Sequence, residues 1–417
     1  MASAFTNKKG REQMMPNSVH GKSIILGVSG SISSYKTIDL ASKLVQNGAD
    51  VDVVMTTSAT KFITPLALKS ITHKPVVHDI FNSVYEGKIY HVESAERADL
   101  IVVVPATANM IAKLANGLCD DPVSLTVLSS KAPIMLCPAM DGYMYENPAT
   151  QKNIQKLTDR GIIFVGPTFG RLASGSIGLG RLTEPQIIIG HIRFELGKTG
   201  DLAGKKVVVS AGGTQEPIDP VRFLGNRSSG KMGYAIAEAA IDRGADTVII
   251  AAQNNLRPPI GSKIINVVTA QEMLNAVVKE VKDCDILIMS AAVADWRPSE
   301  TNSGKIKKNN LNNWSVNLEK TEDILAHIDK PNLVKVGFAA ETEHTISQAR
   351  QKLRSKNLDL IAANNVSRHD IGFGSDNNEV ILIDREGNIN DLGLLAKYEI
   401  GHHILSSALP ILEAKHL

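Results

Sequence analysis

The sequence has few cysteines, little net charge and no long apolar run. Its three cysteines, Cys119, Cys137 and Cys284, form no CxxC pair and have no nearby histidine at metal spacing, which argues against a zinc site or a disulfide framework. A net charge of +2, from 45 basic and 43 acidic residues, gives no general attraction to nucleic acid or to an anionic membrane. No apolar run approaches the ~18 residues of a membrane span, and residues 1–20 lack the apolar core of a signal peptide. We therefore expect a cytoplasmic protein that binds neither nucleic acid nor membrane.

Two parts of the chain share one pattern of strands and helices. Each has a buried strand, a polar turn or loop, a helix and a second strand, in that order. In the first part these elements are residues 23–28, 29–34, 35–47 and 51–55. In the second part they are residues 206–210, 211–231, 232–243 and 247–252. Residues 99–104 and 285–289 each predict a further buried strand that ends in small residues. Short apolar strands that alternate with helices predict parallel, doubly wound sheets, which bind ligands at their carboxyl edge.

Small residues form the turn that follows the first strand. Residues 29–34, SGSISS, would let backbone N–H groups and the positive end of a helix approach an anion, although such a turn can also serve packing alone. The second strand is followed by Thr56, Thr57 and Ser58. NAD-binding folds usually have Asp or Glu here for the ribose hydroxyls, so hydroxyl groups favour a phosphate or a flavin mononucleotide instead.

Several spaced motifs of this half resemble those of one enzyme family. They are GVSGSISSYK (27–36), MTTSATKFITP (55–65), His91, PATANMIAKLANGLCDD (105–121) and PAMDGYMY (138–145). Together they resemble the flavin-containing cysteine decarboxylases, in particular the phosphopantothenoylcysteine decarboxylases, over about residues 22–190. A lone histidine is more often structural than catalytic, so only its position within these motifs gives His91 a role.

The resemblance implies a flavin site and an active-site base. In that family FMN oxidises the cysteine moiety, which makes loss of the carboxylate easy, while the protein orients and protonates the substrate. His91 would be the base beside the flavin. The residues implied to bind FMN are Gly30, Ser31, Ser33, Thr56, Ser58, Thr107, Ala108 and Asn109.

Two residues depart from the family pattern at implied catalytic positions. Asp141 replaces the asparagine of the usual PAMN, and Ser174 replaces the proton-donor cysteine of the usual GxxACG loop. A thiol, with a pKa of ~8.5, donates a proton at neutral pH far more readily than an aliphatic alcohol does. We therefore expect a decarboxylase that is slow, differently arranged, or halted at the enethiol, unless folding brings Cys119 or Cys137 nearby.

The second half contains an incomplete P-loop motif. Residues 225–231, GNRSSGK, fit GxxxxGK, but Met232 stands where Mg²⁺ binding requires Ser or Thr. The preceding strand also ends near Ser210, about fifteen residues earlier. We therefore reject a Walker-type nucleotide site, although the segment can still hold a phosphate on its backbone amides.

A longer set of ordered motifs resembles the phosphopantothenate–cysteine ligases over nearly all of residues 204–415. These motifs are AGGTQEPIDPVRFLGNRSSGKMG (211–233), AAVADW (291–296), KIKK (305–308), VGFAAET (336–342), and Lys352 and Lys356. The order of decarboxylase and then ligase matches the bacterial fused enzymes. Taken alone, KIKK would be a solvated charge run.

The ligase resemblance implies that CTP and Mg²⁺ activate a carboxylate as an acyl-cytidylate, from which the amine of cysteine displaces CMP. Asn226 would contact the acyl group, and Lys305 would act in catalysis by neutralising negative charge. The residues implied to bind CTP are Met289, Ser290, Ala291, Asp295, Lys305, Glu322, Asp323, Ile324, Leu325, Phe338, Lys352 and Lys356.

Together these features predict an α/β protein of two doubly wound domains with mostly parallel sheets, one flavodoxin-like and one Rossmann-like. We expect a flexible tail at 1–21, a flavin domain at 22–193, a linker at 194–203 and a ligase domain at 204–417. The small-molecule substrates would be 4′-phosphopantothenate, cysteine and CTP. The resemblance also implies a homo-oligomer, in which trimers of the flavin domain and dimers of the ligase domain give a dodecamer. The rival hypothesis is an active ligase fused to a weak or inactive flavin domain with a binding or regulatory role.

Overall fold

The computed structural model describes residues 17–81, 84–85, 88–307, 313–341, 345–365 and 374–416. Within them the chain forms two compact units, divided between Gly197 and Lys198. No helix in these ranges is both long and apolar enough to cross a membrane.

The first unit contains a six-stranded parallel sheet with the strand order β3-β2-β1-β6-β7-β8. Two small antiparallel pairs, β4–β5 and β9–β10, lie outside this sheet. The strands are β1 (Ser23–Val28), β2 (Asp50–Met55), β3 (Val76–Val77), β4 (Val84–Tyr85), β5 (Lys88–Ile89), β6 (Leu100–Ala106), β7 (Ile134–Pro138), β8 (Ile163–Phe164), β9 (Thr168–Arg171) and β10 (Ile177–Arg181). The helices are α1 (Tyr35–Gln46), α2 (Pro65–Thr72), α3 (Tyr90–Arg97), α4 (Ala108–Asn116), α5 (Pro122–Ser129), α6 (Gly142–Glu146), α7 (Pro148–Thr158) and α8 (Pro185–Gly197).

Helices cover both faces of this sheet because alternate side chains of each strand point to opposite faces. Ile24 and Leu26 of β1 pack in one apolar core with α1, α2 and α8. Ile25, between them, packs in the other core with α4, α5 and α7. The sheet is therefore buried on both sides.

The structure corrects both predicted ends of this domain. Residues 17–21 do not belong to a flexible tail, because Val19 is fully buried in the core and Asn17 Nδ2 donates to Asn47 Oδ1 at 2.7 Å. Residues 194–197 are not linker but the last turn of α8. Leu196 packs against the first core, so the helix continues as far as it has an apolar face to bury.

The second unit contains an eight-stranded sheet with the order β15-β14-β11-β16-β19-β20-β21-β22. Its first six strands are parallel, and β21 is antiparallel to both neighbours. The strands are β11 (Lys206–Ala211), β12 (Gln215–Pro217), β13 (Phe223–Gly225), β14 (Asp246–Ala252), β15 (Lys263–Val267), β16 (Ile286–Met289), β17 (Trp296–Pro298), β18 (Leu318–Lys320), β19 (Val334–Glu341), β20 (Leu360–Asn365), β21 (Asn377–Asp384) and β22 (Ile389–Ala396). The helices are α9 (Lys231–Asp242), α10 (Ala270–Glu280), α11 (Thr345–Ser355) and α12 (Lys397–Lys415).

The helices of the second unit also divide between two faces. Helices α9 and α12 pack on one face in a single apolar core. Helices α10 and α11 pack on the other face in two further cores. Because β21 reverses the chain direction and β22 restores it, α12 begins at the same carboxyl edge of the sheet as α9.

Candidate active sites

A cavity of about 940 Å³ lies at the carboxyl edge of the first sheet, and we call it the N-terminal cavity. All eight residues predicted to bind FMN line it, and so do Asp141 and Ser174. The sequence therefore identified residues that folding brings together from five separate segments.

The loops around the N-terminal cavity are held close together. Ser29 Oγ donates to the Pro105 carbonyl at 2.7 Å, which joins the first loop to the end of β6. Thr107 caps α4, since its hydroxyl accepts from the Met110 N–H at 3.3 Å. At Gly30 an added Cβ would lie 2.5 Å from Ser58 Cβ, so only glycine lets these loops approach so closely.

The donors of this cavity suit a phosphate. Hydroxyls and backbone N–H groups at the starts of two helices face it, and none of the eight predicted cofactor residues is a carboxylate. Such helix starts favour anions because their N–H groups have no partner within the helix. The residues present therefore fit the phosphate end of a flavin mononucleotide.

Asp141 and Ser174, the two residues that depart from the decarboxylase pattern, contact each other. Asp141 Oδ2 accepts a hydrogen bond from Ser174 Oγ at 2.9 Å, and Ser174 Oγ also lies 2.8 Å from Ser176 Oγ. The other carboxylate oxygen, Asp141 Oδ1, accepts from the Tyr143 N–H at 3.1 Å and caps α6. The carboxylate and the alcohol therefore form one hydrogen-bonded pair on the cavity wall.

Neither nearby cysteine replaces the missing thiol, because neither Cys119 nor Cys137 lines this cavity. Cys137 is buried in β7, and this burial raises the pKa of its thiol. His91 is the second residue of α3. Its side chain lies outside the described residues, so its role as the base stays a prediction.

Basic side chains also line the N-terminal cavity, and the sequence analysis missed them. Lys36 pairs with Glu184 at 2.9 Å, and this contact holds the pKa of Glu184 below its usual value. Lys113 pairs with Asp120 at 2.6 Å and with Asp121 at 2.8 Å. Lys36 and Lys113 lie within quoted motifs, but nothing in those motifs shows which way the side chains point. The remaining basic residues of the wall are Arg171 and Arg181.

A second cavity, of about 1020 Å³, lies at the carboxyl edge of the second sheet, and we call it the C-terminal cavity. Asn226 lines it together with eleven of the twelve residues predicted to bind CTP. These eleven are Met289, Ser290, Ala291, Asp295, Glu322, Asp323, Ile324, Leu325, Phe338, Lys352 and Lys356. The structure therefore joins five stretches of sequence in one cleft.

Two predicted lysines enter this cleft from α11 and the residue that follows it. Lys352 Nζ donates to the Phe338 carbonyl at 2.7 Å. Lys356 forms an ion pair with Asp323, whose other oxygen accepts from the Leu325 N–H at 3.2 Å. Asn226 Nδ2 donates to the Val293 carbonyl at 3.1 Å, so its amide orientation is fixed by the segment after β16.

Lys305 is the exception among the predicted residues, because it does not line the C-terminal cavity. It is exposed on the loop after β17. The next residue fixes this loop beside the β12–β13 hairpin, since the Ile306 N–H donates to Asp219 Oδ2 at 3.2 Å. The structure thus places Lys305 near the segment that leads to Asn226, and its catalytic role stays a prediction.

The GxxxxGK segment has a different environment from a P-loop. A P-loop follows a strand of the parallel sheet, whereas Gly225 ends β13, which pairs only with β12. Lys231 Nζ donates to the Gly374 carbonyl at 2.8 Å and pairs with Asp376 at 2.7 Å. Both features agree with the rejection of a Walker site.

Comparison with known families matches both units. Residues 13–196 match the family described as Flavoprotein, and residues 202–411 match the family described as DNA/pantothenate metabolism flavoprotein C-terminal domain. Fold and sites therefore define a two-domain flavoprotein with a flavin unit and a pantothenate-metabolism unit.

Similarity to curated proteins extends over nearly the whole chain. The sequence is 42% identical over 392 residues to the coenzyme A biosynthesis bifunctional protein CoaBC of Bacillus subtilis (strain 168), covering 93% of this chain and 96% of that protein. It is 42% identical over 378 residues to the protein of the same name from Escherichia coli (strain K12), covering 89% and 93%. The chain belongs to the family of bifunctional coenzyme A biosynthesis proteins. The predicted family, the α/β fold class and an enzyme of coenzyme A biosynthesis are thereby confirmed. The rival hypothesis, an active ligase fused to a weak or inactive flavin domain with a binding or regulatory role, is not favoured.

Proposed function

We propose that the second unit uses CTP to join cysteine to 4′-phosphopantothenate, and that the first unit decarboxylates the product with FMN. The observation that supports the ligase most strongly is the C-terminal cavity, whose wall contains Asn226 together with Lys352 and Lys356. The N-terminal cavity supports the flavin unit, because its donors fit a phosphate.

The ligase reaction proceeds in two substitutions at the C-terminal cavity. An oxygen of the substrate carboxylate attacks the α-phosphorus of CTP, and pyrophosphate leaves. The cysteine nitrogen then attacks the activated carbonyl carbon, CMP leaves, and the amine gives up a proton as the amide forms. Negative charge grows on phosphate oxygens in both steps, and the ammonium groups of Lys352 and Lys356 would stabilise it.

Asn226 and Lys305 would complete this site. With its Nδ2 held by the Val293 carbonyl, Asn226 presents a neutral amide that can contact the acyl group without pairing with a carboxylate. Lys305 would contribute a further positive charge. Among the described residues no group of three or more His, Cys, Asp or Glu side chains gathers as a metal site, and Mg²⁺ bound together with CTP stays a prediction.

In the flavin unit, hydroxyls and helix starts would hold the FMN phosphate, and the flavin ring would supply reversible oxidation of the substrate. His91 would act as the base beside it. Ser174 would stand where a cysteine thiol supplies a proton in the resembling decarboxylases. Its hydroxyl donates to Asp141 Oδ2 at 2.9 Å, so it would have to leave this hydrogen bond to protonate the substrate, and we expect that step to be slow.

One assay tests both activities. Purified protein with CTP, Mg²⁺, 4′-phosphopantothenate and cysteine should release pyrophosphate, form the cysteine amide, and then yield CO₂ and 4′-phosphopantetheine. Omission of CTP is the control and should abolish every product. Amide without CO₂ would refute the decarboxylase, and protein that never takes up FMN would refute the flavin site. Absence of pyrophosphate would refute the ligase.

The assembly and the location belong to the same proposal. We propose a cytoplasmic homo-oligomer in which the flavin unit forms trimers and the second unit forms dimers, so that the whole chain assembles as a dodecamer. Light scattering on a size-exclusion column measures this mass directly. A monomer that retains FMN would contradict the trimeric flavin site.

A further inference from the structure

Most of the positive charge that lines the C-terminal cavity is already engaged by the protein. Six basic side chains line this cavity. Four of them hold a carboxylate or a backbone carbonyl: Lys231, Lys352, Lys356 and Lys397. Among the described residues, the charged groups of the other two, Arg227 and Lys320, make no hydrogen bond or ion pair. These two cations are therefore available to a ligand.

Of these two, Lys320 is held in place by an aromatic ring. It is the last residue of β18 and lies opposite Trp296, the first residue of β17, in the antiparallel β17–β18 pair. The Nζ atom of Lys320 lies 5.8 Å from the centroid of the Trp296 ring, a distance at which the ring attracts an ammonium group. The ring supplies no negative charge, so the N–H groups that point away from it can still donate to an anion.

The β17–β18 pair lies beside the residue that we propose holds the acyl group. Asn226 Nδ2 donates to the Val293 carbonyl at 3.1 Å. One residue later, the Ala294 carbonyl accepts from Thr321 Oγ1 at 2.6 Å, and Thr321 directly follows Lys320. Asn226 and Lys320 are therefore joined through two adjacent carbonyl groups, and both side chains line the same cavity.

The carboxylates closest to Lys320 along the chain do not balance its charge. Three of them are engaged by other basic side chains within the described residues: Glu319 by Arg297, Glu322 by His327 and Asp323 by Lys356. Asp295 also lines the cavity, yet it forms no ion pair with Lys320, both being described residues. An unbalanced positive charge thus remains beside the position proposed for the acyl group, where it favours an anionic group of a ligand.

We propose that Lys320, held by Trp296, binds the α-carboxylate of cysteine and so selects an amino acid as the acceptor amine. The amine of cysteine must attack the acyl carbon near Asn226, and the carboxylate is attached to the carbon that bears this amine. It must therefore lie close to the acyl group, which is where Lys320 presents its charge. A hydrogen bond between an ammonium group and a carboxylate is among the stronger ones available to a protein. This inference rests on the proposed ligase function.

Steady-state amide formation by the full-length protein tests this assignment, with cysteine and with cysteamine, which lacks the carboxylate. Lys320→Gln should lower kcat/KM for cysteine about tenfold, the loss expected for one hydrogen bond to a charged group. It should leave kcat/KM for cysteamine within about twofold of the wild type. The preference of the wild type for cysteine over cysteamine should therefore disappear in this variant. Lys320→Arg keeps the positive charge and should retain most of that preference.

A matched control and the remaining outcomes complete the test. Lys279→Gln removes an exposed lysine of α10 outside the cavity and should change neither value. Single-turnover release of pyrophosphate without cysteine should be unchanged in Lys320→Gln, and slower release would overturn the subsite by giving this lysine to the nucleotide. Equal losses for cysteine and cysteamine would also overturn it, as would a cysteine-specific loss in Arg227→Gln with none in Lys320→Gln. Wild-type protein that forms no amide would refute the ligase itself, whereas wild-type kinetics in Lys320→Gln would refute only this subsite.

Discussion

Substitution of Gly30 by alanine tests the close contact between the two loops that we propose hold the flavin phosphate. The new Cβ would lie 2.5 Å from Ser58 Cβ and 2.9 Å from the Ser58 carbonyl carbon. Carbon atoms pack best at ~3.5–4.0 Å, so the loops must separate by about 1 Å. Such overpacking costs about 1–3 kcal/mol. Since about 1.4 kcal/mol corresponds to a factor of ten in affinity, we expect FMN to bind about 5- to 150-fold more weakly.

Quenching of flavin fluorescence during titration of the apoprotein measures this affinity. Gly178→Ala is the matched control, because its Cβ would meet only Leu172 Cδ1, at 3.8 Å. That variant should bind FMN like the wild type. Thermal unfolding of both apoproteins separates a loss of stability from a loss of binding. Wild-type affinity in the Gly30 variant would refute the reasoning, because it would show that the loops separate without cost to the flavin site.

Three further changes test other parts of the molecule. Ser174→Cys should speed CO₂ release at saturating substrate by tenfold or more, because a thiol is the better proton donor; an unchanged rate would contradict a role in protonation. Lys305→Gln should slow pyrophosphate release from CTP by about 10²-fold, whereas near-normal turnover would show that this lysine is only surface charge. Glu280→Gln should lower the free energy of unfolding at pH 7 by about 2 kcal/mol, because the nearly buried carboxylate accepts from Lys263 at 2.8 Å and from Lys206 at 3.0 Å. These contacts hold the pKa of Glu280 below its ordinary value. The contribution of Glu280 to the free energy of unfolding is therefore complete above the unfolded pKa of ~4.3 and is lost as the pH falls through the folded pKa. Urea unfolding at pH 7 and in acid measures the loss in the variant and its dependence on pH.

The sequence predicted the sheets well because they are buried on both faces. Continuous apolar runs such as 23–28 and 206–210 have few alternatives to a central strand, and the small residues after them mark the carboxyl edge. The domain ends were harder to predict. Residues 194–197 contain glycine and charge, yet they continue α8, and Leu196 packs against the first core.

Contacts between distant segments could not be predicted from sequence. Asp141 and Ser174 are 33 residues apart and meet only because the β9–β10 hairpin lies against α6. Lys397 follows an ordinary strand, and its place in the cavity depends on the reversal of direction at β21. Sequence motifs thus predicted most of the residues that line each cavity, while the added lysines and the carboxylate–alcohol pair required the fold.

The reversal at β21 also governs when the C-terminal cavity can form during synthesis. One wall of the cavity contains the start of α9, at Gly230, and the start of α12, at Lys397. Lys397 comes late in the chain, because it follows the last strand of the sheet. A nascent chain therefore carries most of the segments predicted to bind the nucleotide, including Lys352 and Lys356, before that wall exists. The cleft is completed only after α12 docks on α9, so a chain that has not yet folded this helix lacks one wall of the C-terminal cavity.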